Sequence, residues 1–133
     1  LRKLFADTSA LLALALRDDA PHAAAARFVR ENSRMRFVLT DLVLSEMVTR
    51  LRARADAGLA AAAARRLLAS TRYEIVFADP SLIEAGLEEL ERFADKQLSL
   101  TDAVAFVLID RLSLDGAFTF DRDFRDCGYP TVP

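Results

Sequence analysis

Lys3-Leu4-Phe5-Ala6-Asp7-Thr8-Ser9 sets a short apolar run directly against an aspartate and two hydroxyl residues. The run is too short for a helix and reads as a buried first strand, closed by Asp7. Thr8 or Ser9 can cap a helix that continues through Arg17. The same design returns late in the chain, where Ala117-Phe118-Thr119-Phe120 reads as a fourth strand closed by Asp121. Between them, Pro21 suits the first turn of a second helix to about Asn32. Arg36-Phe37-Val38-Leu39 is a second strand, and Thr40 or Asp41 caps a long helix to about Asp56, with Gly58 as its stop. An alanine-rich helix covers Leu59 to Ala69. Tyr73 to Phe77 is a third strand, Pro80 opens a helix ending near Ala94, and Thr101 starts another that stops before Gly116. Tyr129-Pro130-Thr131-Val132 suits a short edge strand, where its proline is tolerable. Strands alternating with helices predict an α/β fold, a mainly parallel central sheet flanked by helices in three layers.

The 133 residues suit one domain, spanning 1–133, with a single sizeable core. A hydrophobic fraction of 53% beside 29% charged residues reads as globular. One cysteine, Cys127, allows no internal disulfide and suits a reducing, cytoplasmic setting. One histidine, His22, excludes a His-rich metal site. The apolar run Ala10 to Leu16 is far short of a membrane span. A net charge of −2 runs against nucleic-acid binding, although Arg50, Arg52 and Arg54, followed by Arg65 and Arg66, form a local basic stretch. That stretch reads equally as a solvated helix face.

The informative feature is where the acids fall. Functional sites of open parallel sheets lie beyond the carboxyl ends of the strands. Asp7 and Asp121 emerge there together if their strands are neighbours. Asp102 opens Asp102-Ala103-Val104-Ala105-Phe106-Val107-Leu108-Ile109, a helix apolar nearly all round and therefore buried. Glu46 sits one turn into the third helix, beside an apolar arc containing Met47 and Leu51, with Arg50 four residues on as a partner. Each acid alone has a structural reading, as a cap, a dipole partner or an ion pair. Four acids converging would repel unless a cation offset them, and an all-oxygen set points to Mg²⁺ or Mn²⁺ rather than zinc.

Phe5-Ala6-Asp7-Thr8-Ser9, Leu98-Ser99-Leu100-Thr101-Asp102-Ala103 and Phe118-Thr119-Phe120-Asp121-Arg122-Asp123-Phe124, with Ser45-Glu46-Met47 between, make an ordered set. In it the chain resembles the PIN-domain family, and within that family the VapC-like toxins of bacterial toxin–antitoxin pairs. The resemblance implies a metal-dependent endoribonuclease acting on single-stranded or looped RNA. It implies Asp7 and Asp102 as direct metal ligands, with Glu46 and Asp121 completing the cluster directly or through water. Thr8, Ser9 or Thr119 would orient ligands, Asp95 is a reserve acidic position, and Asp123 competes with Asp121. It further implies a homodimer and a VapB-like antitoxin that blocks the acidic cleft. Leu51, Leu59, Leu67 and Leu68 are candidate contacts for either partner, or ordinary core. Two other readings stand beside this one: an inactive PIN-like binding scaffold, and a receiver-like phosphoacceptor domain. The second would need an acidic pair after the first strand, where Asp7 stands alone.

Overall fold

The computed structural model describes residues 2–133. Five parallel strands lie in the order β3-β2-β1-β4-β5: β1 Lys3–Ala6, β2 Arg36–Thr40, β3 Tyr73–Val76, β4 Ala117–Phe118 and β5 Thr131–Val132. The helices are α1 Thr8–Ala15, α2 His22–Glu31, α3 Asp41–Arg54, α4 Ala57–Ala69, α5 Pro80–Arg92, α6 Leu100–Arg111 and α7 Arg122–Asp126. From β1 the chain steps outward through β2 to β3, then returns across the sheet to β4 on the other side of β1. Right-handed crossovers then put α1–α4 on one face and α5–α6 on the other, which makes the three layers. The order also separates this sheet from the 2-1-3-4-5 arrangement of receiver-type folds.

Burial explains why β1 reads as an unbroken apolar run. Leu4, Phe5 and Ala6 are all buried, as a central parallel strand covered on both faces requires. On one side Phe118 of β4 stacks on Phe28 of α2 at 5.1 Å and touches Phe37 of β2 at 5.5 Å. Elsewhere Phe106 of α6 gathers Phe124 at 5.1 Å and Tyr129 at 4.6 Å. The run Ala103 to Ile109 in α6 is buried throughout, as its all-round apolarity demands.

Several boundaries differ from expectation. α1 is capped by Asp7 rather than by Thr8 or Ser9, and it ends at Ala15. Gly58 does not stop α3. That helix ends at Arg54, and Asp56 caps α4 by accepting from the Leu59 N–H at 2.8 Å, which leaves Gly58 inside the first turn of α4. The fourth strand is two residues shorter, because the amides of Phe120 and Asp121 are taken by the hydroxyls of Ser9 and Thr119, both at 2.9 Å. α7 was not anticipated. Leu51 and Leu67 belong to the core, 0% and 9% exposed, on the inward rows Val43–Met47–Leu51 and Ala60–Leu67; only Leu59 and Leu68 remain as surface contacts.

Gly86 lets α5 approach α6 closely. A Cβ there would meet Val104 Cγ2 at 2.6 Å and Leu100 Cδ1 at 3.1 Å. Leu100 and Val104 flank Asp102, so this contact sets the height of the acid. Gly86→Ala will therefore destabilise the protein by about 1–3 kcal/mol, the usual cost of overpacking, despite the better helix propensity of alanine. Chemical denaturation measures it; an unchanged midpoint would show that α5 shifts freely.

Candidate active site

β1 and β4 are neighbours, paired Phe5 with Ala117 and Ala6 with Phe118. The chain leaves β1 towards β2 and arrives at β4 from the far edge, so the crevice beyond their carboxyl ends is the switch point of the sheet. Asp7 N–H donates to the Phe118 carbonyl at 3.0 Å and holds the two strand exits together. A cleft of about 210 Å³ opens there, and its lining includes Asp7, Glu46, Asp102, Asp121 and Asp123.

Local structure fixes each acid. Asp7 is 4% exposed, and its Oδ2 accepts from Ser9 Oγ at 2.7 Å, Thr119 Oγ1 at 2.8 Å and the Ser9 N–H at 3.4 Å. Each hydroxyl spends its one proton on Asp7, so the 3.2 Å approach of Ser9 Oγ to Thr119 Oγ1 is a close contact rather than a further bond. Both hydroxyl oxygens accept in turn, from Phe120 N–H and Asp121 N–H. The network locks the Asp7 carboxylate from one side and leaves Oδ1 without a recorded partner among the described residues. Asp121 caps α7, its Oδ1 accepting from the Asp123 N–H at 2.9 Å. Asp102 stands in the first turn of α6, where its N–H donates to the capping Ser99 hydroxyl at 3.1 Å. Three helix N-termini thus converge on the acids, each placing partial positive charge beside them. Glu46 sits at the edge of the cleft and pairs with Arg50 at 3.3 Å.

Asp102, Asp121 and Asp123 each bring a carboxylate oxygen within 4.8 Å of the others. Asp7 and Glu46 share the cleft without joining that tight triad. Asp123, which the sequence left as a competitor of Asp121, therefore stands beside it. The cause is α7: its first turn folds Asp123 back towards its own cap. Asp95 lies apart, its side chain 80% exposed and 4.0 Å from Lys96. Gln97 and Ser99 also line the cleft, and neither was singled out by its residue type. Thr8 faces it too, 2% exposed, with an Oγ1 that has no hydrogen-bond partner.

The crowding of acids shows in their protonation. Burial, then the charges of Asp7 and Asp121, push Asp102 up to about 7. Burial raises Asp7 as well, against the opposing hydrogen bonds from Ser9 and Thr119. Asp123 is raised by burial and by Asp121 and Asp126. Such a site is costly without a cation and fits a hard one: its donors are oxygens, and a buried hydroxyl waits unpaired beside them. His22 is engaged elsewhere, donating from Nδ1 to the Ala13 carbonyl at 2.7 Å.

The PIN-domain family matches residues 4–128. The 23S rRNA-specific endonuclease VapC20 of Mycobacterium tuberculosis is 37% identical over 131 residues, 97% of each chain. The crystal structure of M. tuberculosis VapC20, described as a sarcin-ricin loop cleaving toxin, superposes with a TM-score of 0.87 at 28% identity, covering 96% of both chains. VapBC2 of Rickettsia felis, solved with a promoter DNA fragment, shares the fold at a TM-score of 0.69 and 11% identity, over 95% of this chain and 93% of that one. On the strength of this agreement in sequence and in topology, the chain belongs to the PIN-domain family.

Proposed function

We propose that the protein is a divalent-metal-dependent endoribonuclease, the toxin of a VapBC-type pair, and that it cuts the sarcin-ricin loop of 23S ribosomal RNA. The observation that carries this reading is the gathering of Asp7, Glu46, Asp102, Asp121 and Asp123 around one cleft at the switch point between β1 and β4. The likeness to VapC20, over nearly the full length of both chains, supports this choice of substrate.

In this reading Asp7, Asp102 and Asp121 hold Mg²⁺ or Mn²⁺, joined by Asp123 and, directly or through water, by Glu46. The cation would supply Lewis-acid stabilisation of the scissile phosphate and a more acidic water at neutral pH. Ser9 and Thr119 keep the Asp7 carboxylate in one orientation, a role that outer hydrogen bonds play around metal ligands generally. Glu46, at the edge of the cleft, accepts the proton of the attacking water. Arg50, with its side chain 56% exposed, lies where a flanking phosphate would pass. An unpaired loop presents its backbone to such a cleft more readily than a duplex does. A VapB-like antitoxin and a homodimer complete the proposal, with Leu59 and Leu68 on α4 as apolar contacts. No helix among the described residues is long and apolar enough to cross a membrane, and a cytoplasmic setting is where ribosomal RNA would be met.

The test is incubation with intact ribosomes and with a sarcin-ricin stem-loop RNA in Mg²⁺, Mn²⁺ or EDTA. The expected result is a single cut within the loop that EDTA abolishes. Absence of any RNA cleavage with either metal would sink the proposal, and cleavage elsewhere in the RNA would correct its substrate.

A further inference from the structure

The charge balance of the proposed substrate complex is unfavourable. The chain carries a net charge of −2, and its cleft is lined by five carboxylates and one arginine. An RNA approaching that cleft is repelled by every acid that no cation offsets, so attraction must come from elsewhere on the surface.

The opposite end of the sheet carries charge of the other sign. Arg34, Arg36 and Arg72 line a hollow of about 280 Å³ together with Thr71, and no carboxylate lines it. Two of these guanidinium groups are pinned by neutral partners. Arg72, half-buried, donates from Nε to the Met35 carbonyl at 3.1 Å and from Nη2 to the Asn32 carbonyl at 2.9 Å, with its guanidinium over the Phe37 ring at 5.6 Å. Arg36 donates from Nη2 to the Thr71 carbonyl at 3.1 Å. Carbonyls and a ring face orient a guanidinium without neutralising it. Arg34, Arg36 and Arg72 form no ion pair among the described residues, while nearby Glu74 is already taken by Lys3 at 3.1 Å. An adjoining hollow shares Arg34 and adds Arg2, against the single acid Glu31. Pre-oriented forks with free N–H groups and no carboxylate partner suit bidentate contact with phosphate. A protein partner fits less well: the exposed large hydrophobic residues Leu59, Leu68, Phe77, Leu87 and Leu112 all lie outside this hollow, which leaves no apolar anchor.

We propose that Arg34, Arg36 and Arg72 form a phosphate-binding exosite that grips the RNA backbone away from the cutting cleft. The inference rests on the ribonuclease reading. Arg36 opens β2 and Thr40 closes it, so the exosite and the cleft are separated by the length of that strand, roughly 15 Å. The direct line runs through the body of the domain, so an RNA reaches both only by passing around its outside, a path open to the stem-loop and too long for a short loop oligonucleotide.

The test compares wild type with the double variant Arg34→Ser/Arg36→Ser, Arg72 being left to brace its loop, and with the charge reversal Arg34→Glu/Arg36→Glu. Cleavage in Mg²⁺ is followed on a sarcin-ricin stem-loop of some thirty nucleotides and on an oligonucleotide of the loop alone, across a range of salt. On the stem-loop, KM rises about tenfold in the serine variant and further in the glutamate variant, kcat is unchanged, and the slope of log KM against log salt falls by about 2. On the short oligonucleotide the three proteins behave alike. An unchanged KM and salt slope on the stem-loop would overturn the exosite and leave the arginines to a protein partner. An equal loss on both RNAs would overturn it too, because the defect would then lie in the fold or the cleft. Wild type that cuts neither RNA overturns the sarcin-ricin substrate on which the exosite rests, an outcome distinct from the other two.

Discussion

Asp7→Asn will fold, melt no lower than wild type, and lose RNA cleavage by about 10³-fold or more. The size follows from removing an anionic ligand at a site asked for several kcal/mol of charge stabilisation. The choice of asparagine makes the result decisive. Asp7 is the N-cap of α1, and asparagine caps a helix as well as aspartate does. Its amide oxygen can replace Oδ2 and keep the bonds from Ser9 and Thr119, while its NH₂ replaces Oδ1 with a donor that cannot bind a cation. A residue that only capped α1 would tolerate the change. Because burial raises the Asp7 carboxyl, the buried charge opposes folding at neutral pH, and its removal relieves that cost. Loss of cleavage with an equal or higher Tm therefore marks a residue kept for chemistry. Retained cleavage would remove Asp7 from the metal centre, and a collapsed Tm would assign it to the fold. Calorimetric titration with Mn²⁺ on the same variant gives an independent reading, expected as loss of detectable binding.

The sheet and the acids were legible in the sequence for a shared reason. A buried parallel strand is an uninterrupted apolar run, so Leu4-Phe5-Ala6 and Ala117-Phe118 announce both the strand and the place where it ends. An acid at that end is conspicuous because a capping residue and a ligand need the same position. Asp123 was harder to see. Its place beside Asp102 depends on α7, a five-residue helix with too few residues for a periodic pattern. The shortened β4 was hidden for a related reason. Thr119 and Phe120 are good strand residues, and it is the hydroxyl of Ser9, 111 residues from Phe120, together with the local turn to the Thr119 hydroxyl, that draws the following amides out of the ladder. Leu51 and Leu67 were ambiguous because α3 and α4 each carry leucines off the inward row as well as on it, half-buried Leu42 and Leu44 in α3 and exposed Leu59 and Leu68 in α4, and composition alone does not say which row is which. The arginine hollow left no motif at all. Arg34 and Arg36 are separated from Arg72 by two helices, and they meet because β2 and β3 start side by side, Phe37 paired with Tyr73.

As a proposed metal ligand, Asp102 will make metal binding and stability depend on pH in opposite senses. Its carboxyl is held at about 7 in the folded metal-free protein, against an ordinary value of 3.8. Between those values the folded state keeps a proton that the unfolded chain has lost. Folded protein then binds more protons than unfolded, so the contribution of Asp102 to stability falls as pH rises from about 4 to about 7 and is level above that. A cation competes for the same oxygens, so its binding expels the proton, and affinity climbs with pH over the same window, by about tenfold per unit where this proton dominates. Mn²⁺ calorimetry from about pH 5 to pH 8 in two buffers of different ionisation enthalpy will show near one proton released at the acid end from this group, and none from it at the alkaline end. Asp102→Asn will raise the Tm of metal-free protein at pH 8 by several degrees, remove that part of the pH slope and abolish tight Mn²⁺ binding. The stabilisation and the loss of metal must appear together, since both come from one carboxylate held among others. A variant that gains no stability at pH 8 would mean that Asp102 is already ionised at neutral pH at little cost, and that α6 does not press it into the cluster.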